Sequence, residues 1–219
     1  MPSLRDVDTV LLDVDGTLVD TTYLHALCWS DAFAELGLPR PTADLHRLVG
    51  MDAQRLIATA LADAPPARQL RDDLARRHGE LYREHWPTLR ALPGARELLH
   101  HLHGRGITTV LASSATDEEL AALRKALHAD DWIDEATTSD DAAEGKPAPD
   151  LLQEALRRAG ASAERALLVG DAVWDGEAAR RAGIRFIGVT CGGIPEAALR
   201  DAGAQEVFPD PAYLLAHLT

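Results

Sequence analysis

Thr9-Val10-Leu11-Leu12-Asp13-Val14-Asp15-Gly16-Thr17 is the stretch on which the fold turns. A short apolar run rich in β-formers ends abruptly in two carboxylates and a glycine. Such a run reads as a strand buried on both faces, as in a parallel sheet, rather than as one side of a helix. Three further runs share its form. Residues 107–112 stop at Ser113-Ser114, residues 165–169 stop at Gly170-Asp171, and residues 184–189 make a fourth strand. Residues 136–138 and 205–208 are weaker candidates for the remaining strands.

Helical periods lie between these runs. Ala95, Leu98, Leu99 and Leu102 share one face after Pro93-Gly94, with Gly104 as the expected stop. Thr116 and Glu119 have capping-box spacing ahead of Leu120, Leu123 and Leu127. Pro149 in a first turn, then Leu151, Leu152, Ala155 and Leu156 up to Gly160, predicts a third helix, and Trp174 to Ala182, closed by Gly183, a fourth. Strand and helix thus alternate from residue 93 onward, which predicts an α/β fold with a doubly wound parallel sheet. Between Thr21 and Leu92 the rhythm breaks. Helical periods appear there (Leu24, Leu27, Cys28; Leu56, Ile57, Ala60, Leu61) with prolines at 39, 41, 65 and 66, and no strand. The expected organisation is a core of residues 1–20 and 93–219 carrying a helical insertion of residues 21–92.

Composition narrows the function by exclusion. The 219 residues carry 22 basic and 35 acidic side chains, a net charge of −13, which disfavours a general grip on nucleic acid phosphates. No apolar stretch reaches the ~20 residues of a membrane helix, so no membrane partner is expected. Cys28 and Cys191 are the two cysteines, outside any CxxC pattern. They fit neither a disulfide framework nor a zinc site, and, with no signal peptide visible, they suit a cytoplasmic protein.

Four features fall at the carboxyl ends of the expected strands: Asp13 with Asp15, Ser113, Lys146 in Gly145-Lys146-Pro147, and Asp171 with Asp175. That edge of an open α/β sheet is where ligands bind. Carboxylates delivered to one place by separate strands repel one another unless a cation intervenes, and a hard, oxygen-seeking ion such as Mg²⁺ answers that need.

At these residues the chain resembles the haloacid dehalogenase-like (HAD) hydrolases with an α-helical cap after the first motif, of the phosphoglycolate phosphatase and β-phosphoglucomutase type. Asp13-Val14-Asp15-Gly16-Thr17-Leu18-Val19-Asp20 resembles the family's nucleophile motif, and Ser113 the second motif. Residues 145–150 are similar to the third, and Gly170-Asp171-Ala172-Val173-Trp174-Asp175 to the fourth, with Ala172 in place of the usual small hydroxyl residue. The resemblance implies a Rossmann-like core, a helical cap and a Mg²⁺-dependent phosphatase acting on a small phosphorylated metabolite. It implies Asp13 as nucleophile forming an aspartyl-phosphate, and Asp15 as general acid and then base. Mg²⁺ would be held by Asp13, the backbone carbonyl of Asp15 and Asp171, with Asp175 as ligand or as a neighbour of the ligands. Ser113 and Lys146 would contact the phosphoryl oxygens.

Each residue also has a plainer reading. Strand-end aspartates often cap helices, Asp20 reads as a cap of the next helix, Asp175 suits a helix N-terminus, and Asp140 and Asp141 read as turn residues. His100, His101 and His103 sit near a helix end without sharing a face. Cys28 and Trp29 read as packing. His25 lies where a role near the leaving group is open. Arg47, Gly50, Met51 and Arg55 resemble a cap loop, or form an ordinary helix–turn–helix. The competing functions are a phosphosugar mutase or a haloacid dehalogenase on the same scaffold, and a non-catalytic phospho-switch. A receiver-type switch is smaller and has no reason to carry the helical insertion. A monomer or small homo-oligomer is expected.

Overall fold

The computed structural model describes residues 4, 6–61 and 68–218. Its centre is strand β1 (Thr9–Leu12), flanked by β2 (Thr108–Ala112) and β3 (Glu135–Thr137) on one side. On the other side stand β4 (Ala166–Gly170), β5 (Arg185–Val189) and β6 (Glu206–Phe208). The order is β3-β2-β1-β4-β5-β6 and every pairing is parallel. The six expected strands all form, with ends displaced by a residue or so.

Why the central runs lack polar alternation is visible in the packing. Val10 and Leu12 belong to one core cluster and Leu11 to the other, so the sheet has an apolar layer on each face. Leu11 aligns with Val110 on β2 and Leu168 on β4, a row of buried residues in one cluster. Against that face pack α7 (Asp150–Ala159), α8 (Val173–Ala182) and α9 (Glu196–Asp201) through Leu152, Ala179 and Leu199. On the opposite face lie α5 (Ala95–Gly104), α6 (Asp117–Leu127) and α10 (Pro211–His217), through Leu99, Leu123 and Leu214. Burying each leucine contributes about 1.5–3 kcal/mol, which a polar side chain in its place would forfeit.

Helix ends follow the sequence signals with three exceptions. Thr116 and Glu119 form the capping box of α6. Gly160 and Gly183 close α7 and α8 in the left-handed conformation. Gly104, expected to stop α5, is instead its last helical residue, and the left-handed turn falls at Gly106. Pro149 stands as the N-cap of α7 rather than inside its first turn. Asp20 does not cap the next helix: α1 (Thr22–Glu35) starts behind Thr21 with no side-chain cap, and the Asp20 amide donates to the Arg90 carbonyl instead. That backbone bond ties the chain leaving the site to the chain returning to the sheet.

Between β1 and β2 the chain forms α1, α2 (Thr42–His46), α3 (Ala53–Ala60) and α4 (Arg68–His85). These helices have a core of their own, built on Trp29, Phe33, Leu45, Leu56, Ile57 and Leu74. They stand over the carboxyl edge of the sheet.

Candidate active site

Asp13 follows β1 directly, and its amide still donates to the Val169 carbonyl at 2.9 Å, as the next rung of the ladder with β4. The backbone then turns sharply. The amides of Thr17, Leu18 and Val19 all donate to the Val14 carbonyl, and Gly16 takes φ +78°. Glycine is required there twice over. The left-handed backbone disfavours a side chain, and a Cβ would lie 2.1 Å from Thr22 Oγ1 and 2.5 Å from Asp171 Oδ2. The turn brings Thr17 back over Asp13, so that its hydroxyl lies 3.1 Å from Asp13 Oδ2 and 3.2 Å from Asp171 Oδ1.

Asp171 follows β4, and Asp175 lies one turn into α8. Asp175 Oδ2 accepts from the Ala172 amide at 3.0 Å, a capping interaction, while its Oδ1 lies 2.7 Å from Lys146 Nζ. Lys146 comes from the loop between β3 and α7, and its Nζ donates to Asp13 Oδ1 at 2.5 Å. Asp175 is therefore both a cap and a partner of the buried lysine. Lys146 is fully buried, which is tolerated because two carboxylates meet it. Burial works against its charge, yet Asp13 and Asp175 outweigh that effect and hold its pKa above the ordinary lysine value.

Oxygens of Asp13, Asp171 and Asp175 all lie within 4.8 Å of one another. Burial, with the neighbouring carboxylates adding to it, pushes Asp13 up to about 7 against the pull of Lys146. The same two causes raise Asp171 well above the usual carboxylate range. Buried carboxylates that disfavour one another's ionisation are the donor set a hard divalent cation stabilises. The residues present therefore fit such an ion. Gly192 keeps the space open, since a Cβ there would fall 1.5 Å from Asp171 Oδ2.

Asp15 points toward the helical layer. Its Oδ1 lies 3.2 Å from His25 Nε2, and its Oδ2 3.5 Å from the Ser113 hydroxyl. Burial alone would raise Asp15, but the hydrogen bond and charge of His25 prevail and lower it. His25 is raised reciprocally, Asp15 outweighing its burial. Ser113, buried at the end of β2, also accepts from the Ala115 amide at 3.0 Å. The structure thus joins Asp13, Lys146, Asp171 and Asp175 in one cluster, with Asp15 and Ser113 beside it.

Sequence reasoning passed over several neighbours. His78 Nε2 sits 3.1 Å from His25 Nδ1, and His78 stacks on Trp29 at 4.0 Å. Tyr82 stacks on His25 at 3.9 Å. His78 and Tyr82 lie four apart on α4, a spacing that marks a buried face but not what it meets. Trp29, read as packing, is buried and also lines the cavity.

A cavity of about 670 Å³ opens between the helices and the sheet edge, lined by Asp13, Asp15, His25, Trp29, Gly50 and Met51 among others. Contacts in and around it join the two layers. The Asp52 amide donates to the Lys146 carbonyl at 3.1 Å, His46 Nε2 to the Gly192 carbonyl at 2.9 Å, Arg83 pairs with Glu118 at 2.6 Å, and Arg55 pairs with Glu144. Of the residues read as a cap loop, Gly50 and Met51 line the cavity, whereas Arg47 pairs with Asp44 on the surface.

The family model for haloacid dehalogenase-like hydrolases matches residues 7–183. The chain belongs to that family of enzymes. It is 29% identical over 210 residues to a phosphoglycolate phosphatase of Nitrosococcus oceani, covering 94% of this chain and 93% of that protein. It is 29% identical over 200 residues to a phosphorylated carbohydrates phosphatase of Thermotoga maritima, covering 90% and 92%. Among solved structures, a hydrolase from Pseudomonas syringae superposes with a TM-score of 0.91 at 33% identity, covering 95% of this chain and 96% of the other.

Proposed function

We propose that the chain is a Mg²⁺-dependent phosphatase that hydrolyses small phosphomonoesters through an aspartyl-phosphate on Asp13. The observation that carries this reading is the buried cluster in which Lys146 bridges Asp13 and Asp175 while Asp171 stands within 4.8 Å of both. Halide displacement from a haloacid needs neither a second aspartate at Asp15 nor a carboxylate cage.

Asp13 is held by Lys146 and Thr17 so that one carboxylate oxygen can approach phosphorus as the ester bond breaks. Asp15, ionised beside His25, takes up the proton that His25 carries 3.2 Å away and gives it to the departing oxygen. It then takes one from the water that attacks the aspartyl-phosphate and releases inorganic phosphate. Lys146 offsets charge on Asp13 and on the phosphoryl oxygens, which Ser113 orients. Asp13, the Asp15 carbonyl and Asp171, with Asp175 as a ligand or a neighbour, would hold Mg²⁺, which would supply charge neutralisation for an anionic nucleophile meeting an anionic phosphate. The helices of residues 21–92 act as a cap on the core of residues 1–20 and 93–219, excluding water.

The cavity suits an uncharged leaving group. Arg76 and Arg83 are the arginine or lysine side chains among its described lining residues, and each already holds a carboxylate, Glu80 at 2.7 Å and Glu118 at 2.6 Å. The carboxylate of 2-phosphoglycolate would have to share one of these arginines with the carboxylate already on it, whereas a polyol or sugar meets no such like charge.

A steady-state screen decides both points. We expect hydrolysis of p-nitrophenyl phosphate and of polyol or sugar phosphates, loss of both with EDTA, and no halide release from 2-chloropropionate. Higher kcat/KM for 2-phosphoglycolate than for every polyol and sugar phosphate would overturn the substrate class. Metal-independent halide release, or stable phosphorylation without turnover, would overturn the phosphatase reading.

A further inference from the structure

We propose that an open groove beside the linker between α4 and α5 binds an organic phosphate anion, separately from the active site. The groove has a volume of about 890 Å³, within the range of small-molecule sites. Arg90 enters it from the linker, Arg96 from α5, and Lys125 with His128 from the end of α6, against Glu97 as the acidic group on its wall.

The charge placement runs against the chain as a whole. The protein has a net charge of −13, and Lys125 is one of its two lysines. Arg90 donates through Nη1 to the carbonyls of Leu89 at 2.7 Å and Pro87 at 3.3 Å. Arg96 donates to the carbonyls of Leu127 at 2.6 Å and Ala126 at 3.3 Å. Arg96 thus sits on the last carbonyls of α6, at that helix's negative end, and Arg90 on carbonyls of its own linker; neither meets a carboxylate and each keeps further N–H donors. Among the described residues, none of Arg90, Arg96 and Lys125 takes part in an ion pair. Three cations from three segments, facing one concavity with spare hydrogen-bond donors, form a receptor for a multiply charged oxyanion. Trp86 on the wall adds an apolar surface for the ligand's organic part. This inference does not depend on the phosphatase chemistry.

The test is calorimetric titration of the full chain in EDTA and low salt with ADP and, separately, inorganic pyrophosphate. We expect saturable ADP binding, tighter than that of pyrophosphate. The Arg90→Ala, Lys125→Glu double variant should weaken it at least about tenfold, or about 1.4 kcal/mol. Hydrolysis of p-nitrophenyl phosphate with Mg²⁺ should stay unchanged. Lys125→Glu alone, at an exposed position, should weaken it in the same direction should the linker loosen in the double variant. No saturable binding at millimolar ADP, or equal affinity in wild type and Lys125→Glu, would overturn the site. Pyrophosphate binding more tightly than ADP would overturn the organic ligand.

Discussion

Charge is handled in opposite ways at the sheet edge and on the outer helices. At the edge, Asp13, Lys146, Asp171 and Asp175 are buried and packed into one cluster. On α4, Arg76 is exposed and Arg77 half-buried, joined to Glu80 and to Glu35 on α1. Buried ions bear a desolvation cost that apolar residues of the same size avoid, so a fold has no structural reason to gather four of them. Their presence at the ligand-binding edge of a parallel sheet is a chemical signature. Pairs open to water and salt add little to stability.

Breaking the inner cluster should produce the larger effects. Asp13→Asn keeps the shape of the side chain but removes the nucleophile. Turnover should fall by at least about three orders of magnitude, as when an essential nucleophile is removed, with an unchanged circular dichroism spectrum. Turnover within a few-fold of wild type, or labelled phosphate trapped on another residue, would remove Asp13 from its role.

Asp15→Ala should act selectively. Loss of a positioned acid–base group costs roughly 10²–10⁴-fold where proton transfer matters. Alkyl phosphates should therefore slow far more than aryl phosphates, whose leaving groups depart without a proton. Equal loss on both would mean that Asp15 serves geometry. At Asp171 the effect should fall on the metal requirement: Asp171→Ala should raise the Mg²⁺ needed for half-maximal activity by at least about 10–100-fold, the loss seen already when a residue that only supports a ligand is removed. An unchanged Mg²⁺ titration would exclude Asp171 as a ligand.

The two regions also differed in how far the sequence announced them. The central strands were legible because burial on both faces forces unbroken apolar runs, and the aspartates at their ends stood out against those runs. Asp13, Asp15 and Asp171 could be singled out for that reason, and Lys146 by its place in Gly145-Lys146-Pro147 in a chain with two lysines. The outer helices hide more. His78 meets His25 across 53 residues of chain, and α4's own periodicity says only that its face is covered. Asp20 misled because its side-chain type suits a cap, whereas its backbone was already engaged with Arg90. Tertiary hydrogen bonds overrode a local preference. The charge of the cavity was equally hidden, since it depends on which carboxylates happen to face Arg76 and Arg83.

The smallest effect concerns the outer pairs, and α4 offers an internal control. Leu74 is fully buried in the helical core, three residues before Arg77. Leu74→Ala removes packed methyl groups and leaves a cavity, so it should cost about 2–5 kcal/mol of unfolding free energy. Arg77 makes two contacts to Glu35, at 2.5 and 3.0 Å, and one to Glu80 at 3.1 Å, a richer geometry than Leu74 can show. Yet water and salt screen those contacts, and two long side chains lose freedom to make them. Arg77→Ala should therefore shift the urea midpoint far less than Leu74→Ala, with the same dependence on denaturant, and the small difference should shrink further at high salt. Activity at saturating Mg²⁺ should not change. A midpoint shift as large as that of Leu74→Ala, persisting at high salt, would mean that the outer ion pairs hold the helices in place, and the contrast between the two regions would fail.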